Sequence, residues 1–452
     1  MKIIIYGITD ISYLIVKDLC KEHDITIIDD TEELPSKFEK LDISFISGNI
    51  SDKSVLKSAR VPECDLFIAC SGYDESNIVA SWSVMRVSNI ETVCFVSKLE
   101  YFNNISNDDF FTSEVGIDHV LWPEESLVKE IFRIVSVPEV VYVDYFEKGK
   151  ARLFEYKIKE DFPLLNKELK YCSFPPETIM VALTRNEELF IPNGSTKILA
   201  GDKPIFIGTP KGMSLLARNL FSTKEERIDS AVIVGGGNIG FMLAKRLESV
   251  NISTKIIEKD KSRCEFLADK LSKTLVINSS GVDTDLFYEE EIGDADAVIN
   301  VTSNDETNLF CSVLARQLGA KKIFSKTSSD SFVPIFEKAG VDVILSPGRT
   351  ILNELKSRII NKDENILSLV GKGQGSLFEI DVPATFDGFQ VKDLHLPYKA
   401  VIAVVKNARK VTIPKGNSIL NKNDKMIIFT KSENALGVKE FFRKKEDNSN
   451  EN

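Results

Sequence analysis

The chain repeats itself, and this duplication limits its possible folds more than any other feature. Gly7 in MKIIIYGITDISYLIVKDL corresponds to Gly235 in SAVIVGGGNIGFMLAKRL, and SGYDESN (71–77) corresponds to TSNDETN (302–308). Two more pairs follow in the same order: VGIDHVLWP (115–123) with AGVDVILSP (339–347), and FIPNGS (190–195) with TIPKGN (412–417). Because chance rarely produces four collinear matches, the sequence predicts two copies of one folding unit.

Each copy divides into a parallel-sheet part and a smaller β-rich part. Residues 1–136 and 230–358 alternate short Val- and Ile-rich runs with helical patterns, which is typical of βαβ units. Residues 139–221 and 361–443 instead contain hairpin-like pairs of strands. The predicted fold class is α/β, with two Rossmann-like doubly wound parallel-sheet domains, each followed by a small β-rich α+β domain. The charged segment 444–452 is predicted to be a disordered tail.

Composition and charge argue against several classes of protein. The 452 residues carry 57 Lys and Arg against 68 Asp and Glu, a net charge of −11, without a long basic tract. This argues against a nucleic-acid partner. No apolar run approaches the roughly 18–20 residues that cross a bilayer, and we expect neither a signal peptide nor direct membrane insertion. The seven cysteines are odd in number and scattered, which predicts reduced thiols. The three histidines are far apart and have no cysteine at ligand spacing, so we expect no metal site.

A glycine-rich loop in the second half has the pattern of a nucleotide-binding turn. The run AVIV leads into Gly235-Gly236-Gly237-Asn238-Ile239-Gly240 and then into a helical pattern. In this GxGxxG motif, Gly235 permits a tight turn, Gly237 lets the backbone approach a pyrophosphate, and Gly240 allows close helix packing.

An acid at the end of the next predicted strand completes this pattern. Glu258 stands 23 residues after Gly235, as expected for the carboxylate that binds the ribose hydroxyls. It favours NAD or an adenine nucleotide over NADP, while the adjacent Lys259 weakens that preference and is itself a candidate contact. The alternative is a loop kept for packing alone, with Glu258 a solvated acid.

The first half keeps the strands but has lost most of this loop. Its second strand ends in Asp29, and the loop is Gly7-Ile8-Thr9-Asp10-Ile11-Ser12. Thr9 places a Cβ where the backbone should approach a phosphate, and Asp10 adds a repulsion on the order of 1 kcal/mol. The sequence predicts either a weakened or altered nucleotide site or a lobe that binds no nucleotide and serves only the architecture, and it does not favour one over the other. Asp10 has a second interpretation, as only the N-cap of the following helix.

Four further candidates follow later strands of the two halves. Ser71 and Thr302 follow the fourth strands, near the crevice where ligands collect in open α/β sheets. Lys98 and Lys326 follow the next strands at equivalent positions. These lysines are either phosphate ligands or solvated residues at strand ends.

With these features on nearly its whole length, the chain resembles the TrkA family of regulatory subunits of Trk-type bacterial potassium uptake, built from two RCK (KTN) units. The resemblance rests on GGGNIG with Glu258, on TSNDETN, on AGVDVILSP and on the I-P-x-G turn. It implies the domain order N-lobe, C-lobe, N-lobe, C-lobe.

The resemblance also points to candidate contacts after the third strand of each half. This family often has Gly-Asp there, whereas the second half has Ser279-Ser280 and the first half has Gly48-Asn49. Ser279, Ser280 and Asn49 are therefore further candidate nucleotide contacts.

The resemblance implies a regulator and not an enzyme. It implies binding of NAD(H) and of ATP or ADP, and self-association into a ring, a homotetramer, on a TrkH/TrkG-like membrane potassium transporter subunit. The chain would then be cytoplasmic and peripheral to the inner membrane through that partner. The alternative is an NAD-dependent oxidoreductase with a duplicated Rossmann-like domain. It needs a general acid or base, whereas the two β-rich parts hold one histidine, His395, and no nucleophile motif.

Overall fold

Backbone contacts group the chain of this computed structural model into two units. The structure describes all residues except 108, 138–139, 222–227, 357–358, 360–365, 372, 408–409 and 451–452. Unit 1 comprises Met1–Val128 with Thr327–Asp330 and Ser346–Leu352, and unit 2 comprises Lys129–Lys326, Ser331–Leu345 and Asn353–Asn452. The predicted domain boundaries at 139, 358 and 361 fall on residues outside the described ranges.

Unit 1 contains a six-stranded parallel sheet with its connecting helices. Its elements are β1 (Lys2–Tyr6), α1 (Asp10–Leu19), β2 (Asp24–Asp29), β3 (Ser44–Ser47), α2 (Lys53–Ser58), β4 (Leu66–Ala69), α3 (Asp74–Met85), β5 (Glu91–Phe95), α4 (Leu99–Asn107), α5 (Asp109–Ser113), β6 (His119–Leu121) and α6 (Pro123–Val135), which continues into unit 2. The strand order is β3-β2-β1-β4-β5-β6. The order reverses between β1 and β4, which opens a crevice at their carboxyl ends.

Unit 2 contains a second parallel sheet of the same kind. Its elements are β12 (Ser230–Val234), α8 (Asn238–Ser249), β13 (Ser253–Glu258), α9 (Lys261–Lys270), β14 (Leu275–Asn278), α10 (Thr284–Glu289), β15 (Ala297–Asn300), α11 (Asp305–Gln317), β16 (Lys322–Lys326), α12 (Val333–Lys338) and β17 (Val343–Leu345). The helix that follows, α13 (Pro347–Leu355), belongs to unit 1 up to Leu352. The order β14-β13-β12-β15-β16-β17 repeats that of the first sheet strand for strand. The predicted duplication and fold class are confirmed.

Two antiparallel sheets complete unit 2. The first has β7 (Val140–Phe146), β8 (Ala151–Tyr156), β9 (Thr178–Arg185), β10 (Glu188–Phe190) and β11 (Lys203–Gly208), followed by α7 (Pro210–Leu216). The second has β18 (Ile366–Val370), β19 (Gly375–Asp381), β20 (Ala400–Lys406), β21 (Val411–Thr412) and β22 (Lys425–Lys431), followed by α14 (Ala435–Asn450). Their orders, β10-β9-β11-β8-β7 and β18-β19-β22-β20-β21, match when one is read backwards. The predicted hairpins are β9–β10 and β20–β21.

The two antiparallel sheets share one hydrophobic core. Val181 and Leu189 of the first sheet belong to the same buried cluster as Leu377 and Phe429 of the second. The amide of Gln374 also joins the sheets, since it donates to the Glu187 carbonyl at 2.7 Å and accepts from the Leu189 N–H at 2.9 Å. The apolar face of each antiparallel sheet is therefore buried against the apolar face of the other. The sequence predicted two separate β-rich domains and gave no sign of this packing.

The end of the chain is helical where the sequence predicted a disordered tail. Helix α14 continues through residues 444–450, and 451–452 lie outside the described residues. Lys444, Lys445 and Glu446 are good helix formers, which explains why the backbone extends the helix begun at Ala435. None of the helices in the described part of the chain is long and apolar enough to cross a membrane.

A carboxylate fastens the start of the second parallel sheet. Asp296 accepts hydrogen bonds from the backbone N–H groups of Asp229 and Ser230 at 2.9 and 3.0 Å, and from Lys321 Nζ at 2.7 Å. Burial alone would raise the pKa of Asp296, but the Lys321 bond and these backbone bonds outweigh it and lower the pKa. The ionised carboxylate therefore stabilises the start of β12.

The Asp296→Asn variant is expected to lose about 1–3 kcal/mol of unfolding free energy at neutral pH, since it weakens charged hydrogen bonds. A lowered folded-state pKa stabilises the fold above the unfolded value of about 3.9 and loses that stabilisation as pH falls. Urea denaturation should show the gap from wild type closing between about pH 5 and about pH 2. A gap that stays constant with pH contradicts the assignment. The control is Asp285→Asn, at an exposed carboxyl of α10.

Candidate nucleotide-binding site

The glycines of the second-half loop differ in what surrounds them. Gly235 has φ +112°, and a Cβ there would lie 3.0 Å from the Thr302 nitrogen. A Cβ on Gly240 would overlap the Gly235 carbonyl oxygen, so only glycine permits this close approach of α8. A Cβ on Gly237, in contrast, would meet no protein atom within 4 Å. The loop is therefore closely packed at both ends and open in the middle.

The first turn of α8 is left to accept an anion. Its N-cap is Gly237, and no side chain of the described residues caps it. Asn238 is exposed, and Ile239 is buried in the domain. The first N–H groups of a helix have no partner within the helix, and its dipole favours negative charge. This turn therefore has the properties of a phosphate site.

Glu258 connects the strand-end acid to the loop. Its Oε2 accepts from the Gly236 N–H at 2.7 Å, and its Oε1 accepts from the Asp260 N–H at 2.9 Å. Lys259 is exposed, and its carbonyl accepts from the Asn278 amide. The structure thus brings the acid to the loop, as the spacing predicts, whereas the Lys259 side chain points to solvent.

The two serines after β14 belong to a turn. Ser279 donates from its backbone N–H to the Glu258 carbonyl at 3.1 Å and from Oγ to Asp283. The carbonyl of the exposed Ser280 accepts from the Asp283 N–H at 3.0 Å. Asp283 in turn caps α10. These contacts shape the turn beside Glu258, and the role of the serines in ligand binding stays a prediction.

A buried asparagine, which the sequence did not single out, organises the neighbouring crevice wall. Asn308 Oδ1 accepts from the Thr302 N–H at 3.0 Å and from its hydroxyl at 2.7 Å. Asn308 Nδ2 donates to the Lys326 carbonyl at 3.0 Å. One side chain therefore ties together the ends of β15 and β16. Asn77 repeats this role in unit 1, where it binds Ser71 and the Phe95 carbonyl. The repeated Asn of SGYDESN and TSNDETN was the available signal.

The corresponding helix start in unit 1 is occupied by the protein itself. Thr9 Oγ1 accepts from the Ser12 N–H at 3.1 Å, and Ser12 Oγ accepts from the Thr9 N–H at 2.8 Å. This reciprocal capping box uses donors that a phosphate would need. The N-cap of α1 is Thr9, so the interpretation of Asp10 as the N-cap is wrong. Asp10 is instead the exposed first residue of the helix and pairs with Lys37 at 2.7 Å.

The other unit 1 candidates keep part of the arrangement. Asp29 Oδ2 accepts from the Ile8 N–H at 2.8 Å, as Glu258 does from Gly236. Gly7 has φ +103°, and a Cβ there would overlap Ser71 Cα. The remaining residues are Ile11, half-buried in α1, and Asn49, exposed in the turn after β3. The turn and its acid are thus preserved, while the N–H groups of Thr9 and Ser12 are already bonded within the capping box.

Lys98 is engaged by a neighbouring carboxylate. Its Nζ lies 2.8 Å from Glu75 Oε1. The hydrogen bond from Lys98, a backbone hydrogen bond and one from Tyr101 lower the pKa of Glu75 to about 2, and the bond to Glu75 raises the pKa of Lys98. This favours the interpretation of Lys98 as a solvated strand-end lysine.

Sequence comparisons agree with the duplicated architecture. The TrkA-N domain model matches residues 3–123 and 231–347, and the TrkA-C domain model matches residues 153–220. A Trk system potassium uptake protein TrkA homolog of Methanosarcina mazei is 30% identical over 98% of this chain and 100% of its own length. The Trk system potassium uptake protein TrkA of Haemophilus influenzae is 28% identical over 95% of each chain.

Solved structures share the fold at low sequence identity. The GsuK RCK domain superposes with a TM-score of 0.64 at 17% identity, over 99% of this chain and 95% of that chain. The GsuK channel bound to NAD gives the same TM-score and identity over 97% and 78%. Domain models that match more than half of the residues, together with a relative matched along its whole length, place this chain in the TrkA family.

Proposed function

We propose that this chain is a cytoplasmic, nucleotide-binding regulatory subunit that controls a membrane potassium transporter. The observation that carries the proposal is the second-half loop, with an uncapped helix start at Gly237 and a strand-end acid, Glu258, bonded to Gly236. Family membership supports the potassium-uptake setting, since the relatives are Trk system potassium uptake proteins.

The proposed ligands are NAD(H) and ATP or ADP, bound in unit 2. Gly235, Gly237–Gly240 and Glu258 would hold the pyrophosphate and ribose that these nucleotides share. Structures of GsuK bound to NAD and to ADP belong to proteins of the same fold. The first-half loop would bind weakly or serve only the architecture, because Thr9 and Ser12 satisfy each other.

The proposed partners are a TrkH/TrkG-like transporter subunit and further copies of this chain in a homotetrameric ring. Exposed apolar residues at equivalent positions of the two halves support self-association. Val79 and Trp82 on α3 are 48% and 44% exposed, and Phe310 and Val313 on α11 are 43% and 36% exposed. Docking on the transporter would keep the chain peripheral to the inner membrane.

Regulation would proceed by a shift between two arrangements of the ring. A nucleotide shifts such an equilibrium only by its difference in affinity for the two states. The loop at Gly237 is the place where that difference would arise. No bond in the nucleotide need be broken, so the proposed activity is binding and not catalysis.

Thermal unfolding with NAD⁺, NADH, ATP or ADP tests the proposal. Wild type should gain about 2.7 kcal/mol at a ligand concentration of about 100 times Kd, which raises Tm by several degrees. The Gly237→Asp variant should keep the Tm of the ligand-free protein, because a Cβ there meets no protein atom within 4 Å. It should lose the ligand-induced shift, because its carboxylate repels the phosphates.

The matched control is Thr9→Asp, at the corresponding position of the first half. Aspartate also caps helices, so α1 stays capped and the nucleotide shift should persist. Gly7 is unsuitable as a control, since any side chain there overlaps Ser71. Equal loss from both variants contradicts the asymmetry, and no shift in wild type contradicts nucleotide binding. Substrate-dependent NADH turnover would instead favour the oxidoreductase.

A further inference from the structure

An arginine that the glycine motif does not include reaches the second-half loop. Arg263 Nε, on the first turn of α9, donates to the Gly236 carbonyl at 2.7 Å. Glu258 Oε2 accepts from the N–H of the same glycine at 2.7 Å. Side chains of opposite charge therefore hold Gly236 from both sides. The arginine lies next to the acid that is proposed to bind ribose.

The guanidinium of Arg263 packs against an aromatic ring, and only its Nε forms a hydrogen bond among the described residues. It lies 4.5 Å from the ring centroid of Phe266 and 5.9 Å from that of Phe241. Within the described part of the chain, neither Nη1 nor Nη2 donates a hydrogen bond, and no carboxylate forms an ion pair with this side chain. The guanidinium plane is thus oriented by Gly236 and Phe266 without being neutralised.

We propose that Arg263 binds the adenine base of the nucleotide in unit 2, an inference that rests on the proposed function. Arginine planes stack on aromatic rings, and every nucleobase has such a face. The base is attached to the ribose that Glu258 would bind, so a residue that contacts the base must lie beside Glu258. Arg263 meets this condition because both side chains bond to Gly236.

This assignment fits all the proposed ligands, because each of them carries a base that can stack on Arg263. NAD, ADP and ATP share the adenosine end and differ beyond the pyrophosphate. A site that stacks the base on Arg263, binds the ribose through Glu258 and binds the phosphate at the start of α8 accepts all three. The first half lacks this cation: five residues after Asp29 stands Leu34, whereas Arg263 stands five residues after Glu258.

Calorimetric titration of ADP, NAD⁺, NADP⁺ and inorganic pyrophosphate tests the role of Arg263. The Arg263→Met variant should bind ADP and NAD⁺ about 5- to 30-fold more weakly, while pyrophosphate binding changes by less than about twofold. Arg263→Lys keeps the charge without the plane and should recover only part of the adenine affinity. The control Lys261→Met, at an exposed lysine of the same helical turn, should leave all affinities unchanged.

Five outcomes overturn the inference. Equal weakening of ADP and pyrophosphate would mean that Arg263 only shapes the loop. Selective loss of NADP⁺ binding would assign it to a 2′-phosphate, and unchanged affinities would remove it from the site. A wild type that binds pyrophosphate but no adenine nucleotide overturns the adenine assignment alone, whereas one that binds none of the ligands overturns the proposed function too. If Arg263→Met does not fold, Phe266→Leu removes the support of the guanidinium and should weaken ADP binding several-fold.

Discussion

The Gly240→Val variant is expected to lose about 3–5 kcal/mol of unfolding free energy. A Cβ at this position overlaps the Gly235 carbonyl, a backbone atom that cannot rotate away as a side chain would. The loop cannot withdraw easily, because the Gly235 N–H donates to the Ile257 carbonyl at 2.9 Å within the parallel sheet. Urea denaturation followed by circular dichroism should show a lower midpoint with an unchanged slope.

Gly237→Ala is the matched control for this loss. It adds a methyl group to the same loop, where it meets no protein atom within 4 Å, and φ is −61°, which alanine adopts without strain. The unfolding free energy should therefore stay within about 0.5 kcal/mol of wild type. If Gly240→Val also keeps the unfolding free energy of wild type, then α8 does not lie as close to the Gly235 carbonyl as it does in the structure.

The roles of these two glycines illustrate what the sequence predicts well. GxGxxG between a buried strand and a helix assigns the close approach to Gly240 and the open backbone to Gly237, and the structure has both. The parallel sheets were predictable for a similar reason. Runs such as AVIV and VCFV are apolar at every position, as expected for strands that helices cover on both faces.

Contacts between distant side chains were less accessible from the sequence. The capping box of Thr9 with Ser12 was missed because a missing glycine was read only as the loss of a site, and not as a gain of helix-capping donors and acceptors. Arg263 was missed because motif spacing concerns the loop and the strand-end acid, whereas this side chain reaches back from the next helix. Such contacts depend on rotamers that pattern and spacing do not specify.

The shared core of the antiparallel sheets was also beyond pattern analysis. Alternation along β9 and β22 shows which face of each sheet is apolar, but it does not show what covers that face. Residues 139–221 and 361–443 each have enough apolar residues to suggest a domain of its own. In the structure their sheets belong to one buried cluster, so their stabilities should be coupled.

The Phe429→Ala variant tests that coupling and is expected to lose about 3–5 kcal/mol of unfolding free energy. Phe429 is fully buried in the shared cluster, and its ring lies so close to Gly375 that a Cβ there would be 2.7 Å away. The resulting cavity borders both sheets, so both should unfold at the lower urea midpoint. Two background variants report on the sheets separately by intrinsic fluorescence. One keeps only Tyr142, which packs against the shared cluster, and the other keeps only Tyr398, which precedes β20, with the remaining tyrosines and tryptophans replaced by phenylalanine.

Phe389→Ala is the control for ring size, because Phe389 is 45% exposed in the same β-rich part. It removes the same atoms from a partly solvated position and should cost no more than about 1 kcal/mol. If Phe429→Ala shifts only the transition reported by Tyr398, the sheets unfold independently and the cluster is a contact between two domains. A common shift of both transitions means that the two antiparallel sheets unfold as one cooperative unit, so that a substitution that destabilises one sheet also lowers the unfolding free energy of the other.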